Sequence, residues 1–211
     1  MYVPAHFSVS DDQALFRLIR ENPLGMLVTQ RSAGLDANHL PFELEPTEGE
    51  RGMLRAHVAR ANPVWRELEN GAEVLVVFRA EHAYVSPNWF PSKHELHRQV
   101  PSWNYRVVHA HGKITVRDEE KFVRGLVGRL TRLHEARQPR PWKMSDAPQD
   151  YIDAMLRSIV GLEIAITRLT GKFKLSQNRE LRDRLSLGEA LKNQGDTAIG
   201  QATLDSIEAS K

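Results

Sequence analysis

The chain has 211 residues and no cysteine, and its 29 lysine and arginine residues against 27 aspartate and glutamate residues give a formal net charge of +2. The missing cysteines exclude disulfides, thiolate metal sites and cysteine nucleophiles, and the length fits one large domain or one domain with appendages. A balanced charge does not by itself indicate nucleic-acid binding, and without a signal-peptide pattern or an apolar run near ~20 residues we expect a soluble, cytoplasmic protein with no membrane partner.

The first part of the chain predicts one helix followed by a β-hairpin. Ser10 and Gln13 have the spacing of a capping box, and the apolar residues after them follow helical spacing until Pro23 stops the helix. Residues 25–42 then read as two strands joined by a turn at 32–34.

A third strand and a short helix follow the hairpin. Residues 53–60 have the strand pattern, and Asn62 and Pro63 are favourable residues for the start of a helix that ends at Gly71. Two further strands are predicted at residues 73–79 and 82–86.

The second half predicts two long strands, several helices and a polar tail. A loop at 88–101 precedes a strand at 102–116, and helices are predicted at 119–138 and 150–158. A strand from residue 159 leads to the segment TGKFKLSQN. We therefore predict a mainly β protein, an antiparallel barrel with peripheral helices, in which residues 1–178 form one domain and residues 179–211 a helical tail packed on it.

The junction between the third strand and the short helix is a candidate phosphate site. A helix N-terminus offers free N–H groups, and Arg60 beside it supplies a forked donor for an anion. The alternative is that Asn62 merely caps its helix while Arg60 is solvated. No glycine-rich phosphate loop accompanies the junction.

Histidines recur at short spacings that could suit a metal. The spacing places each of two pairs on one face of its element, and these pairs are His109 with His111 and His94 with His97. Neither pair has a carboxylate at a supporting position. We predict no metal site, and we interpret His109 and His111 as residues of a barrel seam or an interface.

A basic segment at residues 124–143 could contact DNA phosphates. Its cations include Arg124, Arg129 and Arg132, and an equally plausible reading is a solvated helix face. No helix-turn-helix signature accompanies the segment.

Six blocks in register resemble the PaiB-type family, described as FMN-binding negative transcriptional regulators. The blocks are MYVPAHF, ANHLPF, LRAHVARANPVW, AYVSPNWF, VPSWNYRVVHAHG and GKFKLSQN. The resemblance covers nearly the whole chain. It implies a six-stranded antiparallel Greek-key split β-barrel of the FMN-binding type, normally a homodimer with FMN between the subunits.

The resemblance also implies which residues bind FMN. The residues that would line the isoalloxazine ring are Asn38, His39, Leu40 and Pro41. Those that would hold the ribityl phosphate are His57, Arg60, Ala61 and Asn62. The partner chain would contribute Trp103, Asn104 and Tyr105, with Lys172, Lys174, Ser176, Gln177 and Asn178 close by.

The function that the resemblance implies is negative regulation of transcription by an FMN-binding homodimer. One alternative is an FMN-dependent oxidoreductase that acts on small molecules, with His39, Tyr105 and His109 as candidate acids or bases. A third is a haem-binding protein, since related split barrels bind haem.

Overall fold

A computed structural model describes residues 1–208 and contains an eight-stranded sheet. The strands are β1 (Ser8–Val9), β2 (Leu24–Arg31), β3 (Gly34–Pro41), β4 (Glu43–Glu45), β5 (Met53–Ala59), β6 (Glu73–Val85), β7 (Ser102–Arg117) and β8 (Ile159–Lys174). Their order is β3-β2-β6-β7-β8-β5-β4, and β1 pairs with β8. The pairings of β2 with β3 and β6, and of β5 with β4 and β8, are antiparallel.

Seven α-helices lie between and after the strands in this part of the chain. They are α1 (Asp12–Glu21), α2 (Val64–Glu67), α3 (Pro91–Leu96), α4 (Glu120–Glu135), α5 (Gln149–Arg157), α6 (Leu181–Asn193) and α7 (Thr197–Glu208). No helix within residues 1–208 combines the length and the apolar character needed to cross a membrane. The prediction of a mainly β fold with peripheral helices is confirmed.

The strand count is eight, whereas the prediction was six. Six strands have seven or more residues, and the two extra strands, β1 and β4, have only two and three residues. The strands predicted at 73–79 and 82–86 are one continuous strand, so that prediction was wrong. On β6 the buried residues are even-numbered up to Ala80 and odd-numbered from Ala83 onward, and this change of alternation explains the apparent break.

Strand β8 changes its buried face in the same way. Val160, Leu162, Ile164 and Ile166 are buried along its first half, as is Gly161 beside Phe122, whereas Gly171 is buried further on, where β8 pairs with β1. A strand normally alternates without interruption, so such a shift requires a local irregularity. On both β6 and β8 the buried large side chains of the first part are thus even-numbered, and the residues buried later are odd-numbered.

The chain divides into two compact units. The first comprises residues 1–18, 79–109 and 170–208, and the second comprises residues 19–78 and 110–169. The division falls within α1, β6, β7 and β8. The proposed domain boundary at residue 178 stays a prediction.

The C-terminal helices complete the core of the first unit. Their buried residues Leu187, Leu191 and Ile199 pack in one cluster with Val85 and Leu175, among others. The helices α6 and α7 approach closely at Gly188 and Gly200. A Cβ atom on Gly188 would lie 2.5 Å from the side chain of Leu204, and one on Gly200 would lie 2.8 Å from the carbonyl oxygen of Gly188. The predicted helical tail is therefore part of a packed core.

Two local predictions differ from the structure. The carboxylate of Asp11, rather than the hydroxyl of Ser10, accepts the bond from the backbone N–H of Gln13 at the start of α1. The segment predicted as a loop at 88–101 contains α3, and the buried carboxylate of Asp183 accepts hydrogen bonds from the backbone N–H (3.0 Å) and hydroxyl (2.5 Å) of Ser92. Asp183 lies 91 residues downstream, so the local sequence does not reveal this anchor.

Candidate functional site

An apolar cavity of about 290 Å³ lies in the second unit between the sheet and α4. It is lined by Pro41, His57, Val127, Leu130, Thr131, His134, Glu135 and Trp142. Pro41 and His57 belong to the predicted flavin set, whereas the wall formed by α4 and Trp142 was not predicted. The amphipathic pattern of α4 indicates burial, but it does not reveal which strand the helix covers.

His57 lines this cavity, and its ring carries a buried polar atom that has no hydrogen-bond partner among residues 1–208. Alternation along β5 buries Leu54, Ala56 and Val58 on one side, so His57 lies on the opposite side with α4. Its Nδ1 atom is buried and has no hydrogen-bond partner among residues 1–208. Burial lowers the pKa of the His57 imidazole, so the ring is held neutral. A neutral imidazole with a free nitrogen can donate to or accept from a ligand.

Two residues predicted to bind FMN, Asn38 on β3 and Asn62 just before α2, lie together in the structure. The side-chain amide of Asn62 donates to Asn38 Oδ1 at 2.7 Å, and Asn38 Nδ2 donates to Asp36 at 3.1 Å. Leu40 is buried, whereas His39 and Ala61 are exposed. The structure therefore joins Asn38 to Asn62 directly and leaves His39 open to solvent.

Arg60 is already occupied by groups of the protein itself. Its Nη1 and Nη2 atoms donate to the carboxylate of Asp118, Nε donates to the carbonyl of Arg157 at 2.7 Å, and Nη2 also donates to the carbonyl of Ile159. The ion pair raises the pKa of the guanidinium and lowers the pKa of the carboxyl. Phosphate at Arg60 would therefore compete with Asp118.

The helix predicted at this junction is shorter than expected. It spans only the four residues of α2, and Asn62 Oδ1 accepts the bond from the Val64 N–H at 3.0 Å. One turn of helix has a small dipole, and its first N–H group is already used. The assignment of the ribityl phosphate to this junction stays a prediction.

In the first unit, Asn104 is completely buried and its amide is satisfied internally. The hydroxyl of Ser176 donates to Asn104 Oδ1 at 3.0 Å, and Asn104 Nδ2 donates to Thr203 at 3.4 Å. Ser176 has a left-handed backbone with φ 64°, which turns the chain after β8. Asn104 therefore joins β7 to the C-terminal helices.

The outer face of β7 carries an exposed aromatic groove of about 580 Å³. Its lining residues are Met1, Arg79, His82, Trp103, Tyr105, Val107 and His109. The indole of Trp103 is 51% exposed and stacks on His82 with ring centroids 6.1 Å apart. Alternate residues of β7 from Trp103 to His109 thus line an open apolar groove, whereas His111, which was predicted to share a face with His109, is not among the lining residues.

The predicted lysines and glutamine lie along the end of β8. Lys172 Nζ lies 5.5 Å from the centre of the Tyr105 ring. Lys174 donates to the Trp103 carbonyl at 2.5 Å, and burial, together with Lys172 and Arg179, lowers its pKa. The side chain of Gln177 bonds only backbone groups, and Asn178 is exposed.

Two of the three arginines proposed to contact DNA are paired with carboxylates. Arg124 donates to Glu120 and Asp153, and Arg129 makes a two-bond contact with Glu43. Arg132 is exposed near the end of α4. The cations of this segment are therefore partly neutralised by the protein itself.

Comparison with known proteins identifies similar chains. The family described as "Putative FMN-binding domain" matches residues 1–168. "Protease synthase and sporulation protein PAI 2" of Bacillus subtilis is 30% identical over 194 residues, which cover 92% of this chain and 90% of that protein.

Solved structures share the fold at low sequence identity. The flavocytochrome Anf3 from Azotobacter vinelandii has a TM-score of 0.56 at 12% identity, covering 82% of this chain and 72% of that one. A "putative 5-nitroimidazole antibiotic resistance protein" from Bacteroides thetaiotaomicron has a TM-score of 0.52 at 15% identity, covering 78% and 85%. The predicted split-barrel class is confirmed.

Lowering the pH from 7 to 5 should reduce the free energy of unfolding, and His57→Leu should make this reduction smaller. Burial lowers the pKa of His57 below its usual value of 6.5, so the unfolded chain binds the proton more readily. The stability contributed by the neutral ring is therefore lost as the pH falls below 6.5. Urea denaturation at pH 7, 6 and 5 measures the slope.

The control for this measurement is His94→Ala, since His94 is exposed. Its slope should match that of the wild type. Part of the slope should also persist in His57→Leu, because burial likewise lowers the pKa of His111. An unchanged slope in His57→Leu would show that His57 is protonated equally in both states.

Proposed function

The chain belongs to the PaiB-type family of FMN-binding split-barrel proteins, and from this premise we propose that it is an FMN-binding homodimer that represses transcription. The observation that carries the flavin part is that His57, which lines an apolar cavity with Pro41, has a buried Nδ1 without a hydrogen-bond partner among residues 1–208. A flat heteroaromatic ring with polar atoms at its edge would satisfy both the apolar walls and this nitrogen.

The residues of the second unit fit one side of such a ring. Pro41, Val127 and Leu130 offer apolar contact, and Trp142 offers a flat face. His57 would hydrogen-bond a polar atom of the ring edge. Bound FMN would supply one- or two-electron redox chemistry, while the protein residues bind it and exclude water.

The phosphate part of the proposal depends on an exchange at Arg60. Asp118 is a partly exposed carboxylate that now holds the guanidinium in a two-bond contact. A phosphate offers oxygens of the same geometry with more charge, so it can replace the carboxylate. The guanidinium would stay oriented meanwhile, because the carbonyls of Arg157 and Ile159 hold its other edge.

The proposed homodimer would bury the aromatic groove of the first unit. The exposed indole of Trp103, together with Tyr105, Val107 and His82, forms an apolar surface whose exposure to water is unfavourable. Aromatic side chains of this kind are enriched at interfaces, and a two-fold axis would repeat the contact in both protomers. Each protomer would then bring Trp103 and Tyr105 to the flavin of its partner.

The regulatory part is supported by the sporulation protein of Bacillus subtilis and by exposed cations near the end of α4. Arg132, Arg137 and Arg140 are exposed there, and their side chains have no carboxylate partner within residues 1–208. Unpaired guanidinium groups on one surface can contact backbone phosphates of duplex DNA without reading sequence.

The first test is FMN titration followed by absorbance and fluorescence quenching. Arg60→Ala should weaken FMN binding about tenfold or more, because a charge-assisted phosphate contact is lost. Asp118→Asn should tighten FMN binding, since the competing carboxylate loses its charge. Riboflavin, which lacks the phosphate, should bind all three proteins with equal affinity.

The outcomes of this titration separate the two parts of the flavin proposal. Equal FMN affinity of Arg60→Ala and the wild type would place the phosphate elsewhere. If neither FMN nor riboflavin bound the wild type, flavin binding itself would be wrong. Bleaching of bound flavin by NADH would favour an oxidoreductase over a repressor.

The second test is the association state by analytical ultracentrifugation. The wild type should sediment as a dimer, and Trp103→Ala should raise the dissociation constant by at least about tenfold, as truncation of a buried aromatic anchor does. Tyr151→Ala removes an exposed aromatic from α5 and serves as the control. A monomeric wild type at micromolar concentration would contradict the homodimer.

The third test is a gel shift with duplex DNA at increasing salt. Binding should weaken steeply with salt, and Arg132→Ala should weaken it further, since one phosphate contact is lost. Arg17→Ala, which removes an exposed arginine of α1, is the matched control. No shift at low salt would rule out direct repression.

A further inference from the structure

A second groove, of about 350 Å³, lies in the second unit near the end of α1, β4 and α4. It shares no residue with the cavity beside His57 or with the predicted flavin set. Its volume is at the lower end of the range of small-molecule sites, which is roughly 300–1,000 Å³. Three arginines, one glutamate and an apolar floor line it, and each of these has a distinct role.

The charges of this groove do not balance. Glu43 accepts two hydrogen bonds from Arg129, from Nε at 2.6 Å and from Nη2 at 2.9 Å, so these two residues neutralise each other. Arg20 and Arg132 also line the groove, and their side chains form no ion pair or hydrogen bond with any residue of the described chain. Neither of these two guanidinium groups therefore has a hydrogen-bonded counter-ion among residues 1–208.

The nearby carboxylate of Glu45 does not supply the missing partner. It accepts hydrogen bonds from the hydroxyl of Thr47 at 2.7 Å and from the Thr47 backbone N–H at 3.2 Å. These bonds lower the pKa of Glu45 more than the charge of Arg20 does. The guanidinium of Arg20 thus remains available to an anion from solution.

The floor between these cations is apolar. Phe42 is buried below it, Leu44 is half-buried, and Leu133 is 57% exposed although it lies beside Arg132. An inorganic anion would use the guanidinium groups and leave the leucines in water. A neutral apolar molecule would cover the leucines but would desolvate the guanidinium groups without a partner, at a cost in free energy.

We propose that this groove binds a small organic carboxylate with a flat apolar body. The carboxylate would pair with Arg20 and Arg132, whose planar forks match its geometry. The apolar body would cover Leu44 and Leu133. The pair formed by Arg129 and Glu43 acts as a fixed wall that adds no net charge.

Isothermal titration calorimetry with 1-naphthoate tests the proposal. One molecule should bind per chain with a saturable isotherm, and 1-naphthamide, which has the same shape without the charge, should bind at least about tenfold more weakly. Arg20→Ala and Arg132→Ala should each weaken naphthoate binding about five- to tenfold. Arg137→Ala removes an exposed arginine just beyond α4 and should leave the affinity unchanged.

Four results would overturn the proposal: no saturation with naphthoate, equal affinity for naphthamide, equal losses in Arg137→Ala and Arg132→Ala, or displacement of naphthoate by stoichiometric FMN. Arg20→Ala also separates this site from the DNA contact, because it should weaken naphthoate binding and leave the gel shift unchanged. Circular dichroism of each variant verifies the fold. If Arg132→Ala failed to fold, Arg20→Ala would decide the result.

Discussion

The change of alternation within β6 and β8 is the constraint on which the rest of the structure depends. A strand can bury only every second residue on a given side, so an uninterrupted strand presents one parity to one core. Close to the division between the units, β6 changes from burying even-numbered residues, up to Ala80, to burying Ala83 and Val85, and β8 changes from Ile166 to Gly171. Single strands can thereby contribute to two compact units, and the side that carries polar residues changes with the parity.

The same alternation of buried and outward residues positions the two groups of side chains proposed to contact the flavin. The side of β5 opposite its buried alanine and valine carries His57, and the side of β7 opposite its buried Asn104 carries Trp103. Among the polar residues predicted to bind FMN, Asn104 and Gln177 form their hydrogen bonds with other groups of the protein, and Arg60 forms an ion pair with Asp118. Fewer of the predicted polar side chains are therefore free to bind a ligand than the resemblance to the family implies.

Local signals were sufficient to predict the hairpin, five of the six long strands and the helices α1, α4 and α5, because the hydrophobic periodicity, glycine and proline mark these elements. They divided β6 into two strands, because its buried parity changes midway. They were not sufficient where a distant residue decides the structure. Asp183 anchors α3 from 91 residues away, and Asp118 occupies Arg60 from 58 residues away. The α4 wall over His57 was missed for the same reason, since an amphipathic pattern predicts a buried stripe without naming what it covers.

The packing of α6 and α7 has a consequence for how the protein evolves and is handled. The matched family region ends at residue 168, yet Leu187, Leu191 and Ile199 close the core around Val85 and Leu175. The end of the family match at residue 168 is therefore not a boundary of folding, and the alignment with the Bacillus subtilis protein, which covers 92% of the chain, also extends beyond it. A recombinant fragment cut at residue 168 would expose an apolar surface that promotes aggregation. An insertion between residue 168 and α6 would have to leave the packing of α6 and α7 against Val85 and Leu175 intact.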